Sequence, residues 1–466
     1  MGCAGPSGVL VNAPAAAGAA RSPALEALFT VQAEGQRAVV RAITRANACP
    51  AIAFDGQVPQ AMQVRAAPAT VPARSDAAQK DAKPSVFDVL TCEATWPASA
   101  RSASVGGVAV PAPRAELRRI TVVADTGCRM KASEDAFQAC NDAQKWPWAQ
   151  VAQSAALTRP DVVIHIGDIH YRESPCPAGN AGCAGAPWGY GFDAWQADFF
   201  VPAKPLLAAA PWVFVRGNHE SCFRAGQGWF RFIDAQPWSE ARSCNNPAND
   251  ADADYAAPYA VPLGLNTQLI VFDSSKASGK AIGPQDPAYA KYAANLRAVE
   301  ALAAQKPESF FSSHHPLLAF APNKAEGSKN TKVAKPAGTA GLLSVFSALQ
   351  PTRLFPAGIS TALHGHLHVF EAMGFSSAHP ASVVLGNSGS SNEGAPPLAL
   401  PAGSEPFPGA LVEDYAARAE YGFATLDHQS SGAWLLTEYS VQGVPVIACT
   451  LVGGKSRCNA IAPLAK

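Results

Sequence analysis

The chain has 466 residues, 36 acidic and 36 basic, and is 48% hydrophobic, so it can bury sizeable cores and carries no net charge. That balance argues against a nucleic-acid-binding or membrane-surface protein, which would show a basic excess or cluster. No apolar run reaches the roughly 18 residues that a membrane-spanning helix needs, and the length suggests two or three domains, or one large domain plus a smaller one.

Residues 1–23 form an Ala/Gly/Pro-rich lead-in expected to be disordered. It lacks the basic start and apolar core of a secretion signal. Pro6 stands where myristoylation requires Ser or Thr. Cys3 suits the acylated first residue of a bacterial lipoprotein, and equally a plain terminal cysteine. Residues 24–112 read as a small all-β domain. Short β-prone runs at 27–32, 38–43 and 85–90 flank an Ala/Pro/Lys-rich loop at 65–83. This domain holds no cluster of metal-type ligands and is expected to pack as a sandwich against the rest.

From Arg119 onward strands alternate with helices, the pattern of an α/β catalytic domain spanning 113–466. Strands are expected at 120–124, 161–166, 211–216, 267–272, 309–313 and 382–385. Helices are expected at 142–157, 192–207, 286–305 and 342–349, and antiparallel strands at 422–458. Eleven cysteines punctuate the chain. Proximity pairs them as Cys49–Cys92, Cys128–Cys140, Cys176–Cys183, Cys222–Cys244 and Cys449–Cys458, with Cys3 left over. There is no Cys-x-x-Cys, which argues against zinc ribbons and thioredoxin chemistry. Five short-range pairs imply an oxidising compartment, hence an exported protein that is periplasmic, secreted or lipid-anchored at the cell surface.

Several strands end in metal-type ligands. Asp125, Asp168, Tyr171, Asn218, His219, His314, His366 and His368 all lie where a loop leaves a strand, the edge at which open α/β sheets place their chemistry. Seven oxygen and nitrogen donors sharing one carboxylate suffice for two ions, with Asp168 the natural bridge. His366 and His368 share one side of an extended chain. A lone strand-end histidine is more often a satisfied neighbour, and His165, His364, His379 and His428 are read that way. The ordered set is poorly explained by chance.

The order Asp-x-Gly (125–127), Gly-Asp-x-x-Tyr (167–171), Gly-Asn-His-Glu (217–220), His-x-Pro (314–316) and Gly-His-x-His (365–368) resembles the calcineurin-like metallophosphoesterases. More narrowly it resembles the purple acid phosphatase branch, which has Gly at the third position of the first motif and Tyr in the second. The resemblance implies a four-layer α/β/β/α sandwich preceded by a smaller all-β domain. It implies Fe(III) held by Asp125, Tyr171 and His368, and a divalent Fe, Zn or Mn held by Asn218, His314 and His366. Asp168 bridges them. Of the pair His314-His315, the His-x-Pro spacing selects His314. His219 would face the substrate as catalytic acid or phosphoryl-oxygen donor, with Glu220 orienting it. Arg129 and Arg224 are candidates for gripping phosphate oxygens, or else for ordinary ion pairs.

The expected reaction is hydrolysis of a small-molecule phosphate monoester by in-line attack of a metal-held hydroxide. A phosphodiesterase acting on nucleotides or phospholipid headgroups would use the same ions and differ only in its pocket walls, expected from the loops at 171–190, 226–252 and 322–338. A non-catalytic cell-envelope binding protein is the third reading and predicts missing ligands.

Overall fold

The computed structural model describes residues 1, 25–74, 81–322, 334–392, 394–397 and 399–461. The lead-in with Cys3, and with it the lipid-anchor reading, lies outside these residues, as does 323–333 of the 322–338 loop. Two large sheets stack face to face. The first has 11 strands, its centre formed by the parallel strands Arg119–Val123, Val162–Ile166 and Trp212–Val215. The second has seven, with Thr267–Val271, Glu308–Ser312, Ile359–His364 and Ala381–Leu385 running parallel.

Strand Val162–Ile166 illustrates why the stack forms. Successive side chains of a strand point to opposite faces. Val162, Ile164 and Ile166 therefore enter the core between the sheets. Val163 enters the outer core under the helices, and His165 stacks on Trp212 on that same side. A strand covered on both faces is expected to be almost wholly apolar, and the one polar side chain here, His165, pairs with Thr126 Oγ1, 3.0 Å from its Nε2.

Helix Trp148–Leu157 and the segment Phe192–Leu207 cover the first sheet. Helices Pro287–Ala303 and Ala340–Leu349 cover the second. Helix Pro287–Ala303 starts where the Asp286 side chain accepts the Ala288 N–H and Pro287 occupies the first turn. Its buried stripe is Tyr292, Leu296, Val299 and Ala303. The architecture is α/β/β/α. The 192–207 segment is interrupted by a π-helical turn at Gln196–Phe200.

The N-terminal strands do two jobs. One face of Ala38–Thr44 builds a local core of Ala38, Val40 and Ala42 with Ile52, Phe54 and Trp96. The same region also extends the first large sheet: Leu25–Gln32 pairs in parallel with Trp212–Val215 at Val31 and Trp212. Phe29, Val31 and Ile43 join the outer core. Two buried arginines fasten the segment to the catalytic part. Arg41 donates to Phe232 O (2.8 Å) and Asp234 O (2.7 Å), and Arg65 to Phe230 O (2.8 Å). Glu93 balances both, at 3.2 and 2.8 Å. The sheet thus runs unbroken past residue 112. At the other edge, residues 422–460 add four antiparallel strands. All five cysteine pairs expected from spacing are disulfides.

Candidate metal centre

The carboxyl ends of the parallel strands of both sheets meet along one edge, and their loops are laced together there. Asp125 N donates to Gly167 O (3.0 Å) and Thr126 N to Asp168 O (3.0 Å), joining the first two loops. His366 N donates to Asp125 Oδ2 (2.9 Å) and His314 Nδ1 lies 2.7 Å from Ile166 O, joining the two sheets. Asp125, Asp168 and His366 all adopt left-handed backbone, with φ of 54°, 55° and 71°. That conformation costs a non-glycine residue of order 1–3 kcal/mol and persists only when the surroundings enforce it, most often at functional sites.

The seven expected donors converge. The Tyr171 hydroxyl lies 3.0 Å from Asp125 Oδ1, 2.9 Å from Asp168 Oδ2 and 2.9 Å from His368 Nε2. Asp168 Oδ2 is also 3.0 Å from His314 Nε2. His366 Nδ1 is 3.1 Å from Asn218 Oδ1, and its ring centroid is 5.3 Å from that of His314. Two donor groups therefore share Asp168: Asp125, Tyr171 and His368 on one side, Asn218, His314 and His366 on the other. His314 and His368 anchor their Nδ1 atoms on the carbonyls of Ile166 and Ser391, both at 2.7 Å, which turns Nε2 inward.

The electrostatics call for cations. Burial alone would lower His314, but Asp168 and Asp125 outweigh it and raise it to about 9. Burial would raise Asp168, yet His314 and His219 hold it well below the usual carboxylate range. Burial, then Asp125 and Asp168, push the Tyr171 hydroxyl well above its ordinary value. Inward-facing hard oxygens and imidazole nitrogens in a negative enclosure are a donor set that fits two transition-metal or divalent ions.

Two glycines are required by close approach. A Cβ on Gly217 would stand 2.2 Å from Asp168 N and Oδ1. One on Gly127 would meet Ile169 O at 2.7 Å, Tyr171 N at 2.8 Å and Asp198 Oδ2 at 2.9 Å. Gly127 and Tyr171 therefore belong together: a side chain at 127 would displace the loop that delivers the tyrosine.

His219 lies over Tyr171 with ring centroids 3.7 Å apart, and its N–H donates to Asp168 Oδ1 at 2.8 Å. Its imidazole Nδ1 is 2.9 Å from Glu173 Oε1, and Arg224 Nη2 is 2.8 Å from the same ring nitrogen. Burial, reinforced by Arg224, lowers His219 to about 4. Arg224 Nε is 2.5 Å from Glu173 Oε1. Burial would raise Glu173, but Arg224 and His219 hold it far below normal.

The expectation that Glu220 orients His219 is corrected here. Glu220 instead accepts the backbone N–H groups of Asp168, Ile169, His170 and Gly217 at 2.8–3.1 Å. The carboxylate on His219 is Glu173, which sequence reasoning missed. It also missed Asp198, carried on the π-helical turn, whose carboxylate accepts Cys128 N (3.0 Å), Tyr171 N (2.8 Å) and Arg172 Nε (2.5 Å). Asp198 stands in a largely apolar helical segment, but nothing in that stretch marks Tyr171 as its partner.

The donors open into a cavity of about 180 Å³ lined by Arg129, Lys131, Tyr171, Asn218, His219 and His366, among others. Arg129 and Lys131 share Glu134 as counter-ion, Lys131 Nζ at 2.6 Å. Arg224 is engaged with Glu173 and His219 and is not among the residues lining this cavity.

The fold is shared with PhoD, at a TM-score of 0.53 and 10% identity over 94% of this chain and 92% of that one. A purple acid phosphatase, PPD1 from yellow lupin (Lupinus luteus), aligns at a TM-score of 0.49 and 14% identity over 93% of this chain and 74% of that one. No curated protein sequence matches the chain. A family model described as calcineurin-like phosphoesterase matches residues 118–370, the stretch that carries every donor described above. With more than half its length in that match, the chain belongs to the calcineurin-like phosphoesterase family, the metal-dependent phosphoester hydrolases.

Proposed function

We propose that the protein is a purple acid phosphatase-like hydrolase of small-molecule phosphate monoesters, exported from the cell. The observation that carries this reading is the pair of donor groups meeting at Asp168, with the Tyr171 hydroxyl 2.9 Å from that shared carboxylate. Asp125, Tyr171 and His368 would hold one ion, and the phenol oxygen suits Fe(III). Asn218, His314 and His366 would hold a divalent Fe, Zn or Mn. Bound cations supply Lewis acidity toward the phosphoryl oxygens and the attacking water.

The remaining chemistry falls to the chain. His219 is the group to give a hydrogen bond to a phosphoryl oxygen or a proton to the leaving alkoxide. The Glu173 carboxylate against its Nδ1 favours the protonated imidazole that such donation requires, against the opposing effect of burial and Arg224. Arg224 positions Glu173 and His219. Arg129 and Lys131 on the cavity wall share the single Glu134 carboxylate, and the one positive charge left over favours a dianionic monoester over a monoanionic diester. Five disulfides support the export reading.

The test is metal content and the visible spectrum of purified protein, together with turnover of an aryl phosphate and its bis-aryl diester. Two metals per chain including iron, a broad absorption band abolished in Tyr171→Phe, and preference for the monoester are expected. Two metals without the band would move the protein out of the purple acid phosphatase branch. A diester preference would favour the phosphodiesterase reading. Absence of metal and of activity after metal addition would refute the hydrolase.

A further inference from the structure

A second cavity, of about 410 Å³, adjoins the metal centre. It shares Asn218 and His366 with the smaller cavity, so the two meet at the second donor group. Its other walls include Ala277, Gly279, Gly338, Thr339 and Ala340, and His315 lines it as well. No charged side chain lines it among the described residues. The walls are clasped: Gly341 N donates to Ser278 O at 2.9 Å, tying the 277–279 segment to the start of helix Ala340–Leu349.

His315 is 4% exposed and is held by Ser274. Its backbone N–H donates to Ser274 Oγ at 3.1 Å, and the same Oγ lies 3.1 Å from its Nδ1. The serine hydroxyl, with one hydrogen and two lone pairs, anchors Nδ1 in either tautomer. That leaves Nε2 as the free polar atom on the side of the ring away from Ser274. The ring stands 4.4 Å from that of His366, centroid to centroid. A recess of this size, with small neutral side chains along its described walls and one imidazole nitrogen free to hydrogen-bond, has the character of a binding pocket for an organic group.

We infer that this recess is the leaving-group pocket, receiving the alcohol portion of the ester while the phosphoryl group occupies the smaller cavity, with His315 hydrogen-bonding to the alcohol portion. The inference rests on the phosphomonoesterase reading and deepens it by naming a substrate class. The substrate is a monoester of a large, uncharged alcohol, aromatic or nucleoside-sized. Polyphosphorylated alcohols are disfavoured because the described walls, residues 277–279 and 337–340 with His315, offer further phosphates no counter-charge, and small alkyl esters leave the recess unfilled.

The test fills the pocket. A Cβ added at Gly279 meets nothing within 4 Å, so Gly279→Leu projects into open space. Ala277→Leu is the second variant, approaching from a neighbouring wall position. With metals restored, kcat/KM is measured for 1-naphthyl phosphate and for methyl phosphate in wild type and both variants. The naphthyl-to-methyl ratio is expected to fall at least ten-fold in a variant that retains the wild-type melting temperature. A ratio within two-fold of wild type in both variants overturns the leaving-group pocket and leaves the hydrolase intact. Wild-type protein that hydrolyses neither ester sinks the proposed function, and this inference with it.

Discussion

Glu220 is the residue whose replacement most directly probes how the metal loop is held. It is fully buried, and its two carboxylate oxygens accept four backbone N–H groups: Asp168 at 2.9 Å, Ile169 at 2.8 Å, His170 at 3.0 Å and Gly217 at 3.1 Å. Burial, and then the neighbouring Asp168, push its carboxyl up to about 7, while the N–H groups, which can only donate, favour the anion. Glu220→Gln keeps the shape and replaces one oxygen by an NH2 group. Two of the four amides then face a donor instead of an acceptor. A hydrogen bond to a charged acceptor contributes about 1.5–3 kcal/mol, so two lost bonds amount to roughly 3–6 kcal/mol. Relief of the repulsion with Asp168 offsets part of this in metal-free protein, and less once cations neutralise Asp168. The variant is therefore expected to lose several kcal/mol in denaturant unfolding and to bind metal about 10–100-fold more weakly, as orienting residues around metal ligands do. Both are measured on the same preparation, by urea titration and by competition with a chelator. Wild-type stability together with wild-type metal affinity would refute the acceptor role argued for Glu220.

Asp198→Asn should cost about 3–5 kcal/mol, because it leaves buried Arg172 without its anion. The same change frees Tyr171 N, so any metal-dependent colour should weaken along with stability. Arg41→Met, at the junction with the N-terminal strands, should also lower stability by about 3–5 kcal/mol while leaving kcat unchanged; loss of kcat in folded protein would contradict a purely structural junction. Glu371 offers a pH test away from the metal ligands. Burial raises its carboxyl to about 7, above the unfolded value, while Phe320 N–H and the Tyr415 hydroxyl lower it in part. The folded state therefore holds the extra proton, and the stability this contributes is complete below about pH 4.5 and lost as pH rises through 7, roughly 3 kcal/mol in all. The difference in unfolding free energy between wild type and Glu371→Gln should change with pH over that window; a constant difference would place the proton elsewhere.

Much of the site was legible because its donors sit where strands end. An apolar run followed at once by Asp125, by Asp168 or by Asn218-His219 shows both the strand and its polar terminus, and the spacing between them requires only that the strands be parallel. The groups that hold those donors were not legible. Asp198 reaches Tyr171 from the Gln196–Phe200 turn, and Glu173 touches His219 across 46 positions of sequence. Neither contact leaves a local pattern. The adjacency of Glu220 to His219 suggested the wrong partner, because neighbours along a loop point apart as readily as together. The N-terminal strands were read correctly as β, but not as part of the large sheet, since one parallel contact at Val31 and Trp212 has no signature in either strand.

The backbone of the donor residues explains why those contacts matter. Asp125, Asp168 and His366 are in left-handed conformations that glycine adopts freely and that Asp and His enter only against a cost. Glycine at these positions would relieve the strain and delete the donor, so the side-chain chemistry and the backbone conformation are in conflict. The conflict is settled by hydrogen bonds. Asp125 N donates to Gly167 O at 3.0 Å, while Asp125 O accepts Ser390 N at 2.7 Å. Asp168 N donates to Glu220 at 2.9 Å and Asp168 O accepts Thr126 N at 3.0 Å. His366 N donates to the Asp125 carboxylate at 2.9 Å. Each strained residue is thus fixed by another loop, and two of the three are fixed by each other's loops. A donor set assembled in this way is held by the chain's own hydrogen bonds, and its precision comes from Glu220, Asp198 and Ser390 as much as from the residues that face the metal.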